Sequence, residues 1–248
     1  MFQPLEMVSV IGCGGIGSWL IPPLARYLAS VGFTGELRLC DGDKYDSGNT
    51  DRQNFPAQAL GVNKAVVQAE KLRYELPAMN IVSIGDYVVT ANVGRVMAEN
   101  SLCFAAVDNH PARKRLAEQL QSLKNGALIS AGNEKIDGNA CLYLRERGED
   151  VTENLLTRHP EIATTTSGDR EAGCEEQIAS GEAQLLMTNF SAAHASLIVF
   201  YQLMNKGKRF GKRTLTDVPQ ESFFDIVDGT TSVIHVVKRR HSVVAAGS

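Results

Sequence analysis

Residues 7–20 read M-V-S-V-I-G-C-G-G-I-G-S-W-L. A short apolar run stops at a cluster of glycines, the chain continues as I-P-P-L-A-R-Y-L-A-S-V-G, and a second short run, E-L-R-L-C, follows at 36–40. That order is strand, turn, helix, strand. Gly12, Gly14, Gly15 and Gly17 allow a tight turn and let backbone N–H groups approach a phosphate, which the positive end of the following helix also favours. A glycine turn that only packs a helix closely on a strand would read the same way with no ligand. Pro22 and Pro23 disturb the helix, because an interior proline costs about 3 kcal/mol. A start near Gly17 or Ser18 would place them at the edge of its first turn, where proline is tolerated.

Outward from this unit, apolar residues recur at Val62, Val66, Ala69, Leu72 and Leu76, a helical stripe closed by Pro77. I-V-S-I at 81–84 and L-C-F-A-A-V at 102–107 read as strands, with a short segment at 90–99 between them that Thr90 could cap. Asp108, Asn109 and His110 precede Pro111, a favoured first helical residue, and A-R-K-R-L-A-E-Q-L-Q-S-L continues as a helix. A-L-I-S-A-G at 127–132 and C-L-Y-L-R at 141–145 are further strands. Residues 146–181 are polar and without clear periodicity, 182–204 form a long helix apolar on much of its circumference, and S-F-F-D-I-V and T-S-V-I-H-V-V flank the turn signal Asp228-Gly229. Strands alternating with helices predict an α/β fold, a Rossmann-like doubly wound and mostly parallel sheet with a crossover loop and C-terminal strands. The expected organisation is one domain over 1–248: a nucleotide-binding half at 1–145, the crossover at 146–181, and a C-terminal helix and strands at 182–248.

The whole chain limits what this fold can do. It has 248 residues, 44% hydrophobic and 21% charged, with a formal net charge of −3. That suits a soluble globular protein and gives no basic field for nucleic acid. No apolar run approaches the roughly 20 residues that span a bilayer, and M-F-Q-P-L-E-M-V lacks the basic start of a secretion signal, so a cytoplasmic location is expected. Cys13, Cys40, Cys103, Cys141 and Cys174 include no C-x-x-C pair and no Cys/His pair at zinc spacing, which suggests neither a disulfide framework nor a structural metal. The first four read as packing residues.

Asp41 lies 24 residues beyond Gly17, where the ribose-binding acid of a dinucleotide domain belongs. This fits NAD as well as ATP. A dinucleotide keeps its pyrophosphate intact, whereas a site that expels pyrophosphate must stabilise a highly charged leaving group with arginine, lysine and a metal. Such groups are crowded behind Asp41: Asn49, Arg52 and Gln53 follow within a dozen residues, Lys64 stands in G-V-N-K-A, and Asp108 ends a buried strand. Each also has an ordinary reading. Arg52 could be a solvated surface charge and Asp108 a helix cap. Lys64 near a helix start runs against the dipole preference, which favours an anion beside it.

The set G-x-G-G-I-G-S, D-x-D, N-x-x-R-Q-N-F, G-x-x-K and V-D-N-x-x-x-R, in this order, resembles the ThiF/MoeB/HesA adenylyltransferases, relatives of ubiquitin-activating enzyme, over about residues 7–145. A fainter likeness continues around Cys174. The resemblance implies ATP and magnesium as cofactors, adenylation of a carboxyl group, usually the C-terminus of a ubiquitin-like or sulfur-carrier protein or a peptide, and a homodimer. It implies that Gly12, Gly14, Gly15 and Gly17 form the phosphate turn, that Asp41 holds ribose hydroxyls beside a second acid, Asp43, and that Asn49, Arg52 and Lys64 bind the triphosphate. Gln53 belongs to the same cluster, and Asp108 is the expected magnesium ligand. Cys174 falls where some relatives carry an acyl-accepting cysteine, but Asp169, Glu171, Glu175 and Glu176 around it disfavour a thiolate, and an unreactive thiol is the competing reading.

Two departures from the family stand out. Many members bind zinc through two C-x-x-C pairs that this sequence lacks, and many carry an arginine ahead of the first strand where this sequence has none. Two other functions therefore remain open: a non-catalytic nucleotide-binding subunit needing a partner, and an NAD-dependent dehydrogenase, which would leave Arg52, Lys64 and Asp108 without work.

Overall fold

A computed structural model describes residues 5–50, 52–164, 186–211, 213–214 and 217–235. Five parallel strands form its centre: β1 (Met7–Ile11), β2 (Glu36–Cys40), β3 (Asn80–Ile84), β4 (Ser101–Ala105) and β5 (Gly126–Asn133). Three antiparallel strands extend the β5 edge: β6 (Asp137–Glu146), β10 (Pro219–Asp225) and β11 (Thr230–His235). The sheet order is β11-β10-β6-β5-β4-β1-β2-β3, with the short β7 (Glu149–Asp150) on β6. A separate two-stranded ribbon joins β8 (Arg209–Phe210) to β9 (Arg213–Thr214). From β1 the chain moves to β2 on one side and later to β4 on the other, so the strand order reverses between β1 and β4. Ligands of such sheets bind in the crevice at the carboxyl ends of strands at that reversal.

β1 and β4 are buried at every residue, as strands covered on both faces must be. Alternation divides them. Val8, Val10, Leu102 and Phe104 face a core shared with α1 (Gly15–Ser30), α2 (Lys64–Glu75) and α6 (Leu186–Asn205). Ile11, Cys103 and Ala105 face the core of α3 (His110–Gln121). The doubly wound sheet and the C-terminal hairpin agree with the sequence reading. Asp225 closes that hairpin by accepting hydrogen bonds from the amides of Val227 and Asp228 at 2.8 and 2.9 Å.

Three local expectations change. α1 begins at Gly15 and runs through Pro22 and Pro23, which lie inside it and not in its first turn. The burial of Leu20, Ile21, Leu24 and Leu28, worth about 1.5–3 kcal/mol each, outweighs about 3 kcal/mol per proline, and Pro23 sits on the exposed side. The segment at 90–99 contains only a single tight turn, Val93–Arg95, and Asn92 precedes it. Part of the expected crossover loop is ordered secondary structure: β7, α4 (Leu155–Arg158) and α5 (Pro160–Thr164). Asn154 caps α4 through the Leu156 amide at 2.9 Å, and Leu155 and Ile162 enter the α3 core. Two short turns anchored by one apolar residue each leave no period to read. Among the described residues no helix is long and apolar enough to cross a membrane.

Candidate functional site

The turn after β1 requires glycine at two positions. Gly12 has φ +87°, and a Cβ there would lie 2.4 Å from the Ala106 carbonyl oxygen on β4's extension; at Gly17 a Cβ would lie 1.9 Å from the Gly12 oxygen. Gly17 is a packing glycine, since it lets α1 close on the turn and does not line the cleft. Gly14 and Gly15 do line it. A Cβ on Gly14 would point at the Gln53 side chain and at Lys64 Nζ, 3.5 and 3.6 Å away, so its bare backbone leaves a hollow between them. Gly14 gives α1 no side-chain cap, and no acid sits in the first turn, which leaves the positive end of the helix facing the cleft.

Asp41 follows β2 and ties the turn to the strand end. Its Oδ2 accepts the Cys13 amide at 2.6 Å and its Oδ1 the Asp43 amide at 2.8 Å. Burial pushes its carboxyl up to about 6, against the pull of Lys64 and the two amides. Asp43 Oδ2 stands 3.4 Å from Lys64 Nζ and Oδ1 accepts the Tyr87 hydroxyl. Asn63 caps α2 by accepting the Val66 amide at 3.1 Å and donates to the Asp41 carbonyl at 2.8 Å, which sets Lys64 as the first residue of the helix with its ammonium buried beside the turn.

The crowded stretch after Asp43 divides into two functions. Asn49 is fully buried and is not among the cleft-lining residues; its Oδ1 accepts the Asp46 amide at 3.3 Å and its carbonyl the Gln53 amide at 3.0 Å, so it shapes the loop. Among the described residues its Nδ2 is left without a hydrogen-bond partner, so the expected contact of Asn49 with a triphosphate stays a proposal. Arg52 and Gln53 line the cleft. Arg52 is only 4% exposed, and among the described residues its guanidinium makes one hydrogen bond, Nε to the Gly48 carbonyl at 3.4 Å. Its solvated-surface reading fails on that burial. Among the described residues Gln53 Oε1 is buried with no hydrogen-bond partner, the kind of acceptor that a ligand O–H or N–H satisfies.

Asp108 lines the same cleft beyond β4. It is not the cap of α3, because Asn109 Oδ1 accepts the Ala112 amide at 2.9 Å. Glycine turn, Asp41, Asp43, Arg52, Gln53, Lys64 and Asp108 thus share one cleft of about 1550 Å³. Cys174 lies outside the described residues.

Two contributors were not singled out by sequence reasoning. Arg113, the arginine of V-D-N-x-x-x-R, donates to Ser130 Oγ at 2.7 Å and to the Val107 carbonyl at 2.5 Å, and it lines the cleft. Asn189 of α6 reaches back to the Arg52 carbonyl at 3.4 Å and sits against Gly15, a tie across 137 residues that carries no local signal. Burial pushes the Cys13, Cys103 and Cys141 thiols up and that of Cys40 to about 12, in keeping with packing roles. Cys141 differs in its neighbours. His159, raised to about 10 by its contacts with Cys141 and Glu221, stands beside it in the cleft wall.

A family model described as "ThiF family" matches residues 6–217. The chain is 35% identical over 92 residues to the tRNA threonylcarbamoyladenosine dehydratase of Escherichia coli K12, covering 37% of this chain and 32% of that protein. It is 34% identical over 154 residues to the Haemophilus influenzae Rd protein of the same name, covering 61% and 57%. It is 30% identical over 139 residues to the ATP-dependent ubiquitin transferase-like protein Cap2 of E. coli TW11681, covering 54% and 22%. Each match spans less than two thirds of the curated relative. Among solved structures, E. coli MccB with ATP superposes with a TM-score of 0.61 at 19% identity, covering 93% of this chain and 63% of that one, a likeness of fold.

Proposed function

The chain belongs to the ThiF family, and on that premise we propose that it is an ATP-dependent adenylyltransferase. In this reading it activates the C-terminal carboxylate of a peptide or of a ubiquitin-like or sulfur-carrier protein, through an acyl-adenylate with release of pyrophosphate. The observation that carries the reading is a pair of buried cations, Arg52 and Lys64, lining one cleft with an uncapped glycine turn. A buried guanidinium with a single weak hydrogen bond among the described residues is costly unless an anion completes it. A dinucleotide keeps its pyrophosphate intact, so it would leave that pair no departing group to stabilise.

The residues present fit ATP and magnesium. The hollow at Gly14 leaves room for a phosphate beside Lys64, Gln53 Oε1 accepts from an O–H or N–H of the nucleotide, and Asp41 offers an acceptor to ribose hydroxyls. The substrate carboxylate oxygen bonds to the α-phosphorus as the bridging oxygen departs with pyrophosphate, and Arg52 and Lys64 stabilise the charge that builds on both sides of this exchange. Magnesium supplies further charge neutralisation on the phosphates when bound, and Asp108 is the cleft carboxylate that would hold it. Arg113 holds the end of β4 against β5 and so keeps Asp108 in register with the turn.

The peptide or protein substrate draws support from relatives. E. coli MccB is described in complex with N-formylated MccA, and Cap2 is named as ubiquitin transferase-like. A second reading, a carboxylate carried on modified transfer RNA, is favoured by the two dehydratase relatives. The proposal also holds the matched region as one domain and pairs the chain as a homodimer through the exposed apolar face of α6, where Met187, Phe190, Ile198 and Tyr201 lie. Exchange of labelled pyrophosphate into ATP tests the chemistry. Exchange that depends on added peptide carboxylate and disappears in Lys64→Met supports the proposal; dependence on transfer RNA alone selects the second reading, and exchange unaffected by Lys64→Met contradicts both.

A further inference from the structure

One cluster of chemically capable side chains takes no part in the nucleotide reading. Cys141 on β6 and Glu221 on β10 are direct cross-strand partners, so the sheet register fixes two of its members against each other. His159, at the junction of α4 and α5, closes the third side: its Nε2 stands 2.9 Å from Glu221 Oε1, and the sulfur, nitrogen and carboxylate oxygen all lie within 4.8 Å of one another. We propose that Cys141, His159 and Glu221 form a transition-metal site, zinc by its ligand chemistry, with a fourth position open to the cleft.

The donor set carries the choice of metal. A thiolate and an imidazole select zinc and its neighbours over magnesium or calcium, which take oxygen ligands. Tetrahedral zinc with sulfur at about 2.3 Å and nitrogen or oxygen at about 2.0–2.1 Å sets its ligands about 3.3–3.6 Å apart. To reach that spacing the His159–Glu221 contact of 2.9 Å opens by several tenths of an ångström, and the sulfur, within 4.8 Å of both partners, closes on them. Three protein ligands with one vacancy is the pattern of zinc sites that keep a position for water or substrate. Here Cys141 and His159 line the cleft and Glu221 lies behind them, so the vacancy faces the space where a substrate would sit.

The surrounding shell has the form that metal ligands require. Glu161 Oε1 lies 2.9 Å from His159 Nδ1, an arrangement that holds the proton on Nδ1 and presents Nε2 to the metal. Glu221 is itself oriented, its Oε2 receiving Arg158 Nε at 2.8 Å and its Oε1 receiving Asn139 Nδ2 at 2.6 Å. Binding of one divalent ion displaces the thiol proton of Cys141 and the Nε2 proton of His159 to solvent, and the thiolate and the Glu221 carboxylate then balance the charge of the ion. Without metal, the Nε2 proton occupies the contact between His159 and Glu221.

The inference is independent of the nucleotide chemistry and is tested without activity. The full chain, stripped with a chelator, is titrated with cobalt(II) and then zinc. One cobalt per chain with a thiolate-to-cobalt charge-transfer band in the near ultraviolet, displaced by zinc, is the expected result. Cys141→Ser should abolish the band, Glu161→Gln should weaken binding by about 10–100-fold, and Cys174→Ser should keep the band. Should Cys141→Ser fail to fold, the loss of tight binding in His159→Gln carries the same test. Absence of the band in the wild type, its persistence in a folded Cys141→Ser, or its loss in Cys174→Ser overturns the site and leaves an imidazole held between two glutamates.

Discussion

Two demands on Asp41 oppose each other: burial disfavours its ionised form, and the proposed ribose contact needs that form. Its carboxylate anchors the glycine turn, while burial lifts its ionisation from about 3.9 in an unfolded chain to about 6 in the fold. Because the folded value is raised, the folded state holds the proton more tightly, and ionisation of Asp41 erodes stability as pH rises through the interval between the two values. In the proposed site a ribose hydroxyl would donate to the ionised carboxylate. Nucleotide affinity, followed by calorimetry, should therefore decline below pH about 6 by up to tenfold per unit, and Asp41→Asn should flatten the profile. Level wild-type affinity down to pH about 5 would remove the ribose role. The glycines separate in a similar way. Gly12→Ala meets a backbone carbonyl at 2.4 Å from a positive φ and should fail to fold stably, whereas Gly14→Ala meets only side-chain ends at 3.5 Å and should fold but bind nucleotide weakly. Melting curves read beside binding curves distinguish the two. These residues were legible in the sequence because their chemistry is local. Cys141, His159 and Glu221 were not: sheet register unites Cys141 with Glu221, and the junction of α4 and α5 brings in His159 from 62 residues before Glu221.

At the scale of elements, the junction of β4 and α3 assigns different work to adjacent residues. Asn109 caps the helix, and Asp108 faces the cleft. Asn109→Ala should cost about 1 kcal/mol in denaturant unfolding and leave pyrophosphate exchange within a few-fold. Asp108→Asn should suppress exchange strongly with a smaller loss of stability. The reverse ranking would return Asp108 to a structural role. Helix α1 shows where local rules yield: Pro22 and Pro23 argued for a later start, but four fully buried apolar side chains hold the helix from Gly15 onward. The opposite happened in 149–164, where a polar, aperiodic stretch hides two short helices, α4 held by the Asn154 cap and Leu155 and α5 by Ile162, rather than by a stripe. Asn49 followed the same logic. Its place in N-x-x-R-Q-N-F identified the loop, and only packing revealed that its side chain is fully buried there, with Nδ2 unpartnered among the described residues.

For the whole molecule, the reversal of strand order between β1 and β4 is what gathers the glycine turn, Asp41, Lys64 and Asp108 at one sheet edge. Parallel strands with buried runs made that architecture readable in advance, and a turn signal marked the β10–β11 hairpin; the pairing of β10 with β6 joins segments about 80 residues apart and carries no local signal. The outer face of α6 bears on assembly. Light scattering should give twice the chain mass, and Phe190→Glu should return it to the mass of one chain; a wild-type chain already of single mass would exclude the dimer. The central claim is that this cleft grips a triphosphate with two buried cations. It is tested most directly by titrating the chain with ATP, AMP and NAD and repeating the ATP titration on Lys64→Met. The account predicts that ATP binds tighter than either comparator, and that Lys64→Met removes that preference while the protein stays folded. NAD binding tighter than ATP, or ATP affinity unchanged in Lys64→Met, would contradict it.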